Sequence, residues 1–219
     1  MDLKKSTANL MQRLQDAEVA VDSDVHNGGI ERTAENLSSV EIEVVSPCRN
    51  VIVVVSANGA LVDVVIKDGA IGSLSAYQMG SVITETVSHA EQTVSNATEL
   101  YIQRTLSRRA TEDAIPSEPS QASRDHDAMS VFYERVRQAS QAAEEIVVSG
   151  TSPDGGVYIE IFARKLQKVQ IDDDKYQTYD EDVLGDILAI GITSMKLEFA
   201  RKQREHIFSY LHRDGEKIQ

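Results

Sequence analysis

The chain has 219 residues, 41% of them hydrophobic, with a net charge of −13, one cysteine and no tryptophan. That apolar content suffices for a packed core and excludes wholesale disorder, and a single thiol, Cys48, excludes an internal disulfide or a multi-thiolate metal site. The acidic balance discourages indiscriminate adhesion to nucleic acid or anionic membrane without excluding a local basic face.

In chain order, residues 3–21 carry Leu10, Leu14, Ala17 and Val21 at helical spacing, which predicts an amphipathic helix rather than a signal peptide. A polar stretch containing "HNGG" follows and reads as a flexible loop. Apolar runs predict strands over 40–46, 50–57 and 60–67. Asn58–Gly59 marks a two-residue hairpin, because both residue types tolerate positive φ. Val51–Val55 is apolar on both pleat faces, the pattern of a strand covered on both sides. A long helix is predicted over 76–106. Residues 107–127 hold Pro116 and Pro119 in a polar stretch without periodicity, the composition of a linker. Beyond it come a predicted helix over 128–146, strands over 146–151, 157–163 and 166–172, and a helix over 181–212. No apolar run is long enough to span a bilayer, so the expectation is a soluble, cytoplasmic protein with no membrane contact.

The second half repeats the first. "SPCRNVIVVV" from Ser46 is echoed by "SPDGGVYIEI" from Ser152, and these hold the other two of the four prolines. Displaced by 106 residues, Val51, Val53, Val55 and Ala57 fall on Val157, Ile159, Ile161 and Ala163. One residue is lost in the hairpin turn. From there a displacement of 105 carries Leu61, Val64 and Ile66 onto Leu166, Val169 and Ile171. It also carries the helix positions Met79, Val82, Ile83, Val87, Ala90 and Val94 onto Leu184, Ile187, Leu188, Ile192, Met195 and Phe199. Ser75 falls on Asp180, and both residue types cap a helix N-terminus. A single gap, placed in a turn, identifies an internal duplication. Three strands and one helix of about 45 Å make a poor domain alone, so each copy needs a partner. The reading is therefore α+β, with module 1 over 1–106, a linker over 107–127 and module 2 over 128–219. The two modules are expected to pair in cis as an intramolecular pseudo-dimer, burying Ile83, Val87, Ile187 and Ile192.

The segments "SPCRNVIVVVSANGALVDVVIKD" and "SPDGGVYIEIFARKLQKVQIDDD", each followed by a long amphipathic helix, resemble the YbaB/EbfC family of bacterial nucleoid-associated proteins. The resemblance covers roughly 3–106 and 128–212, and its motifs are structural rather than chemical. It implies a helix, a three-stranded antiparallel sheet and a long helix per copy, and binding of double-stranded DNA through helices that project from the sheets. The tandem form departs from the usual single-copy member, which works as a dimer. The alternative is an acidic protein-interaction or chaperone-like accessory module, such as those associated with type VII secretion.

The cations available for phosphate contact fall in two groups: Arg104, Arg108 and Arg109 near the end of the first long helix, and Lys196, Arg201, Lys202 and Arg204 on the second. On charge alone these are better explained by favourable opposition to the helix macrodipole and by the solubility of a surface helix, and only the resemblance moves the balance towards DNA. Nothing points to an enzyme or a cofactor. The five histidines lack metal-ligand spacing, and "DDDKYQTYDED" from Asp172 lacks the glycine and the closing glutamate of a calcium loop. It reads instead as a polar loop with Asp180 as the helix N-cap and Glu181 and Asp182 in the first turn. Tyr176–Asp180 and Tyr210–Asp214 match a Tyr-x-x-x-Asp/Glu secretion pattern no more often than composition allows.

Overall fold

The computed structural model describes residues 40–112 and 145–213, together with Arg137, Gln138 and Gln141. The helix predicted over 3–21, the "HNGG" stretch, the linker beyond Glu112 and most of the helix predicted over 128–146 lie outside the described residues.

The architecture is α+β, with two three-stranded antiparallel sheets. In the first, β1 (Glu41–Val45), β2 (Val51–Ser56) and β3 (Leu61–Ile66) pair in sequence order. A one-turn helix α1 (Ala70–Ser73) leads into the long helix α2 (Ala76–Glu112). The second copy runs β4 (Val147–Thr151), β5 (Val157–Phe162) and β6 (Lys165–Ile171), then α3 (Asp173–Tyr176) and the long helix α4 (Glu181–Arg213).

The Ser-Pro signature is the turn between the first two strands of each sheet. Val51 N donates to Ser46 Oγ at 3.0 Å, and Val157 N donates to Ser152 Oγ at 2.9 Å. The serine hydroxyl thus satisfies the first amide of the incoming strand, and proline presets φ for the turn. Arg49 and Gly155, which occupy the same place in the repeat, both take positive φ, 64° and 79°.

The second hairpin differs between the copies. The loop Ala57–Gly59 has three residues, and Gly59 alone is left-handed, at φ 86°. That is a type I turn closed by a left-handed glycine, rather than the two-residue turn expected from Asn58–Gly59. The two-residue turn occurs instead in the second copy, between the paired Phe162 and Lys165. There Ala163 (φ 50°) and Arg164 (φ 66°) are both left-handed.

Ser75 and Gln78 form a capping box on α2. Gln78 N donates to Ser75 Oγ at 3.2 Å, and Ser75 N donates to Gln78 Oε1 at 3.0 Å. Asp180 caps α4, accepting from Val183 N at 2.7 Å. The α2 helix continues to Glu112, past the point where its apolar periodicity predicts an end.

Each long helix lies on strands of both sheets: α2 on β1, β2 and β6, and α4 on β4, β5 and β3. The closest approaches are reciprocal. A Cβ at Gly80 of α2 would stand 2.4 Å from the carbonyl oxygen of Val169 on β6, and one at Gly185 of α4 would stand 2.4 Å from that of Val64 on β3. The two glycines are equivalent in the repeat, and so are the two valines. Polar contacts also cross between the copies. Val169 N donates to Thr84 Oγ1 at 3.1 Å, and Gly69 N donates to Glu181 Oε1 at 2.9 Å. One apolar core takes residues from both copies, including Ile83, Val87, Leu188 and Ile192, with Ile187 partly buried at its edge.

The outer sheet faces are unlike. On the first, Val45, Ile52 and Val65 stand side by side. On the second, the equivalent row is Thr151, Tyr158 and Gln170. Ile52 and Val54 are half-buried rather than enclosed on that outer face.

Candidate nucleic-acid interface and adjoining groove

A helix of 37 residues is about 55 Å long, whereas strands of five to seven residues span roughly 17–24 Å. Each long helix therefore outruns the sheets, and the candidate DNA contacts lie in its C-terminal half, apart from Lys196 at the middle of α4. Arg104, Arg108 and Arg109 belong to the last turns of α2, where the side chains lie outside the described residues.

On α4, three of the four cations are engaged by carboxylates. Lys196 Nζ is 2.6 Å from Glu91 Oε1 of α2, in a pair whose side chains are only 21% and 18% exposed. Arg201 bonds Glu198 at 2.6 Å and Glu205 at 2.8 Å. Lys202 lies 3.9 Å from the same Glu198. The Arg201 hydrogen bond holds the Glu198 carboxyl below its usual range, and the same contact raises Arg201 above its own. Arg204 has no carboxylate partner among the described residues, and its Nε donates to the Ala200 carbonyl at 3.4 Å.

Between the two long helices lies a groove of about 1570 Å³, flanked by the two hairpin tips. Leu61, Val94, Ile161, Leu197 and Phe199 give it an apolar lining. Its polar rim is uneven. The first copy supplies Asn58, Gln92, Asn96 and Glu99; the second supplies Arg164, Lys165 and Arg204. Arg204 and Glu99 are equivalent in the repeat, so one wall has reversed its charge relative to the other. Glu91 and Lys196 are equivalent as well, and they touch each other.

Arg164 is fixed in place. Its Nη2 donates to Gln203 Oε1 at 2.6 Å, and Gln203 is buried at 7% exposure. The turn that presents Arg164 has two non-glycine residues in the left-handed region, a conformation costing roughly 1–2 kcal/mol per residue. Arg164 and Lys165 were not among the sequence-based candidates, which all lie on the long helices, whereas these two sit at the β5–β6 hairpin. The turn after an apolar strand, equivalent to Asn58–Gly59, was the available signal.

Among the described residues, no group of three or more His, Cys, Asp or Glu could hold a metal ion. No helix among them is long and apolar enough to cross a membrane. Comparison with family models, curated proteins and solved structures found no match to this chain.

Proposed function

We propose that the chain is a non-enzymatic, nucleoid-associated DNA-binding protein of YbaB/EbfC type, with its two copies acting as the halves of one intramolecular pseudo-dimer. The observation that carries this reading is the reciprocal seating of each long helix on the other copy's third strand, Gly80 at Val169 and Gly185 at Val64. That exchange is what a two-fold dimer of helix–sheet–helix units needs, and the resemblance implies such a dimer. It leaves two long helices whose distal halves are available to meet the phosphate backbone. Arg104, Arg108, Arg109 and Arg204 are the principal contacts. Lys196, Arg201 and Lys202 contribute less, since each has to give up a carboxylate first. Phosphate contacts carry no base information, so binding is expected to show little sequence preference.

The test is titration of a labelled duplex of mixed sequence across a salt series. Affinity should fall linearly on a log–log plot, with a slope of about 0.9 per phosphate contact. Replacing Arg104, Arg108 and Arg109 with glutamate should weaken binding to all sequences alike and flatten that slope. Absence of binding by the parent chain at low salt would refute the reading.

A second reading, a protein-interaction or accessory module, has its own observation. Val183, Ile190 and Leu197 recur every seven residues on α4 and are 45%, 68% and 67% exposed. A partner held by such a stripe would survive a salt wash that strips DNA.

A further inference from the structure

We propose that the groove between the long helices binds an acidic amphipathic helix of a protein partner, and binds it in one orientation. This inference is independent of the DNA reading, and of the DNA-contact candidates only Lys196 and Arg204 line the groove. A helix with its side chains is about 10–12 Å across, so a groove of about 1570 Å³ accommodates roughly eleven residues, or three turns. Leu197, which is exposed, offers apolar contact to one face of such a helix, over a floor closed by the buried Leu61, Ile161 and Phe199, the helix-in-groove mode of recognition.

The charges select the other faces. Arg164, Lys165 and Arg204 line the second-copy wall, and none has a carboxylate partner among the described residues. The buried Gln203 takes one donor of Arg164, leaving the rest of the guanidinium fork for a ligand carboxylate. On the opposite wall the turn Asn58–Gly59 stands where the second copy has Arg164, Ala60 where it has Lys165, and Glu99 where it has Arg204. A ligand with carboxylates along one flank therefore fits in only one direction. The apolar lining opposes a polyphosphate backbone, which has no apolar face to place on it. The observations thus favour an acidic peptide over nucleic acid at this place.

The experiment is selection of a displayed library of random twelve-residue peptides on the full-length protein, with R164E/K165E in parallel. Both positions are exposed, so the double variant should keep the parent's circular dichroism, with a modest fall in melting temperature from the lost Arg164–Gln203 bond. Peptides enriched on the parent should combine Asp or Glu with Leu, Ile, Phe or Met at i, i+3 and i+4. By fluorescence anisotropy the best of them should bind the double variant at least tenfold more weakly. It should also lose affinity to Leu197→Glu and gain affinity on Glu99→Lys. Enrichment of basic or neutral peptides, no enrichment, or equal binding to parent and double variant would overturn the proposal. Displacement of the peptide by a 20-base-pair duplex, with the duplex itself sensitive to R164E/K165E, would overturn it in favour of a phosphate site.

Discussion

The two copies of the repeat agree where they touch each other's backbone and disagree where they face water or each other's equivalent side chain. Gly80 and Gly185 are both retained, each against a strand carbonyl of the other copy. The serine that closes the first turn is retained in both, and both long helices keep an N-cap. Elsewhere the copies have parted. The row Val45, Ile52 and Val65 on one outer sheet face is apolar where the other has Thr151, Tyr158 and Gln170, one hairpin tip is neutral and the other basic, and the groove wall with Glu99 faces one with Arg204. Backbone approach at van der Waals distance leaves no room to vary, whereas side chains pointing away from the seam vary freely. The pair Glu91–Lys196 shows what a single chain gains. In a dimer of identical chains, a residue that touched its own equivalent would meet its own charge. Joined copies escape that constraint.

The glycines are the most severe way to break the correspondence. Gly80→Ala or Gly185→Ala adds a Cβ that has to move a strand backbone rather than a side chain. Each substitution is expected to cost about 3 kcal/mol by overpacking, despite the roughly 1 kcal/mol that alanine gains over glycine in a helix. Urea unfolding midpoints should fall by similar amounts for the two. Gly72→Ala, with open space around the new Cβ, is the control and should leave the midpoint nearly unchanged. A large difference between the Gly80 and Gly185 variants would mean that the two seams are not equivalent.

Next in size is the pair Glu91–Lys196. Glu91→Lys or Lys196→Glu puts two like charges together at a partly buried site, and each should cost about 2 kcal/mol. The double exchange, E91K with K196E, should recover most of that loss. A double-mutant cycle read by thermal unfolding measures the coupling directly. Additive losses in the cycle would show that the two side chains act separately.

Much of this was legible in the sequence, and the gaps have physical causes. Strand order, the duplication and the helix caps follow from apolar periodicity and cap chemistry, which are local. The extra length of α2 was missed because apolar periodicity fades after Leu106, while "SRRATE" still favours helix and the first breaker is Pro116. The two-residue turn expected at Asn58–Gly59 is a three-residue one because Asn-Gly is only a preference. Loop length decides whether one or two residues go left-handed, and the single-residue gap in the repeat already held that information. The neutralisation of Arg201 was legible too, since Glu198 and Glu205 lie three and four residues away on the same helix. The Lys196–Glu91 contact was not, because it depends on how the two copies meet. Gly80 and Gly185, equivalent glycines inside helices where glycine is unfavourable, were an unused signal for that meeting.

The hairpin turns sharpen the comparison with substitutions of opposite sign. Ala163→Gly relieves a left-handed alanine and should stabilise the protein by about 1 kcal/mol. Gly59→Ala imposes that conformation on the first copy and should cost about as much. Thermal midpoints moving in the same direction for both would show that the two turns are limited by contacts rather than by backbone strain.

The smallest effect lies in the Ser-Pro turn and concerns pH. Asp154 accepts from Ser152 Oγ at 2.6 Å, from the Tyr179 hydroxyl, and from Gly156 N at 3.2 Å. These donors, Ser152 first, lower its carboxyl to about 2. Its equivalent in the first copy is Cys48, so only the second copy carries this acid-sensitive contact. A carboxyl depressed in the folded state adds stability above its unfolded value near 4 and loses it as pH falls through about 2. Tyr179 is the converse. Burial first, and then the Asp154 hydrogen bond, push it up to about 12, so its contribution holds below about 10 and is lost as pH rises through about 12. Asp154 is exposed, so solvent screening keeps the effect small. Asp154→Asn should therefore lower stability slightly at neutral pH and flatten the decline of the melting temperature between about pH 4 and 2. It should also narrow the gap in acid sensitivity between the two turns, followed by amide exchange at Val51 and Val157. If the decline at Val157 were unchanged in the variant, the acid response would have to come from carboxylates shared by both copies.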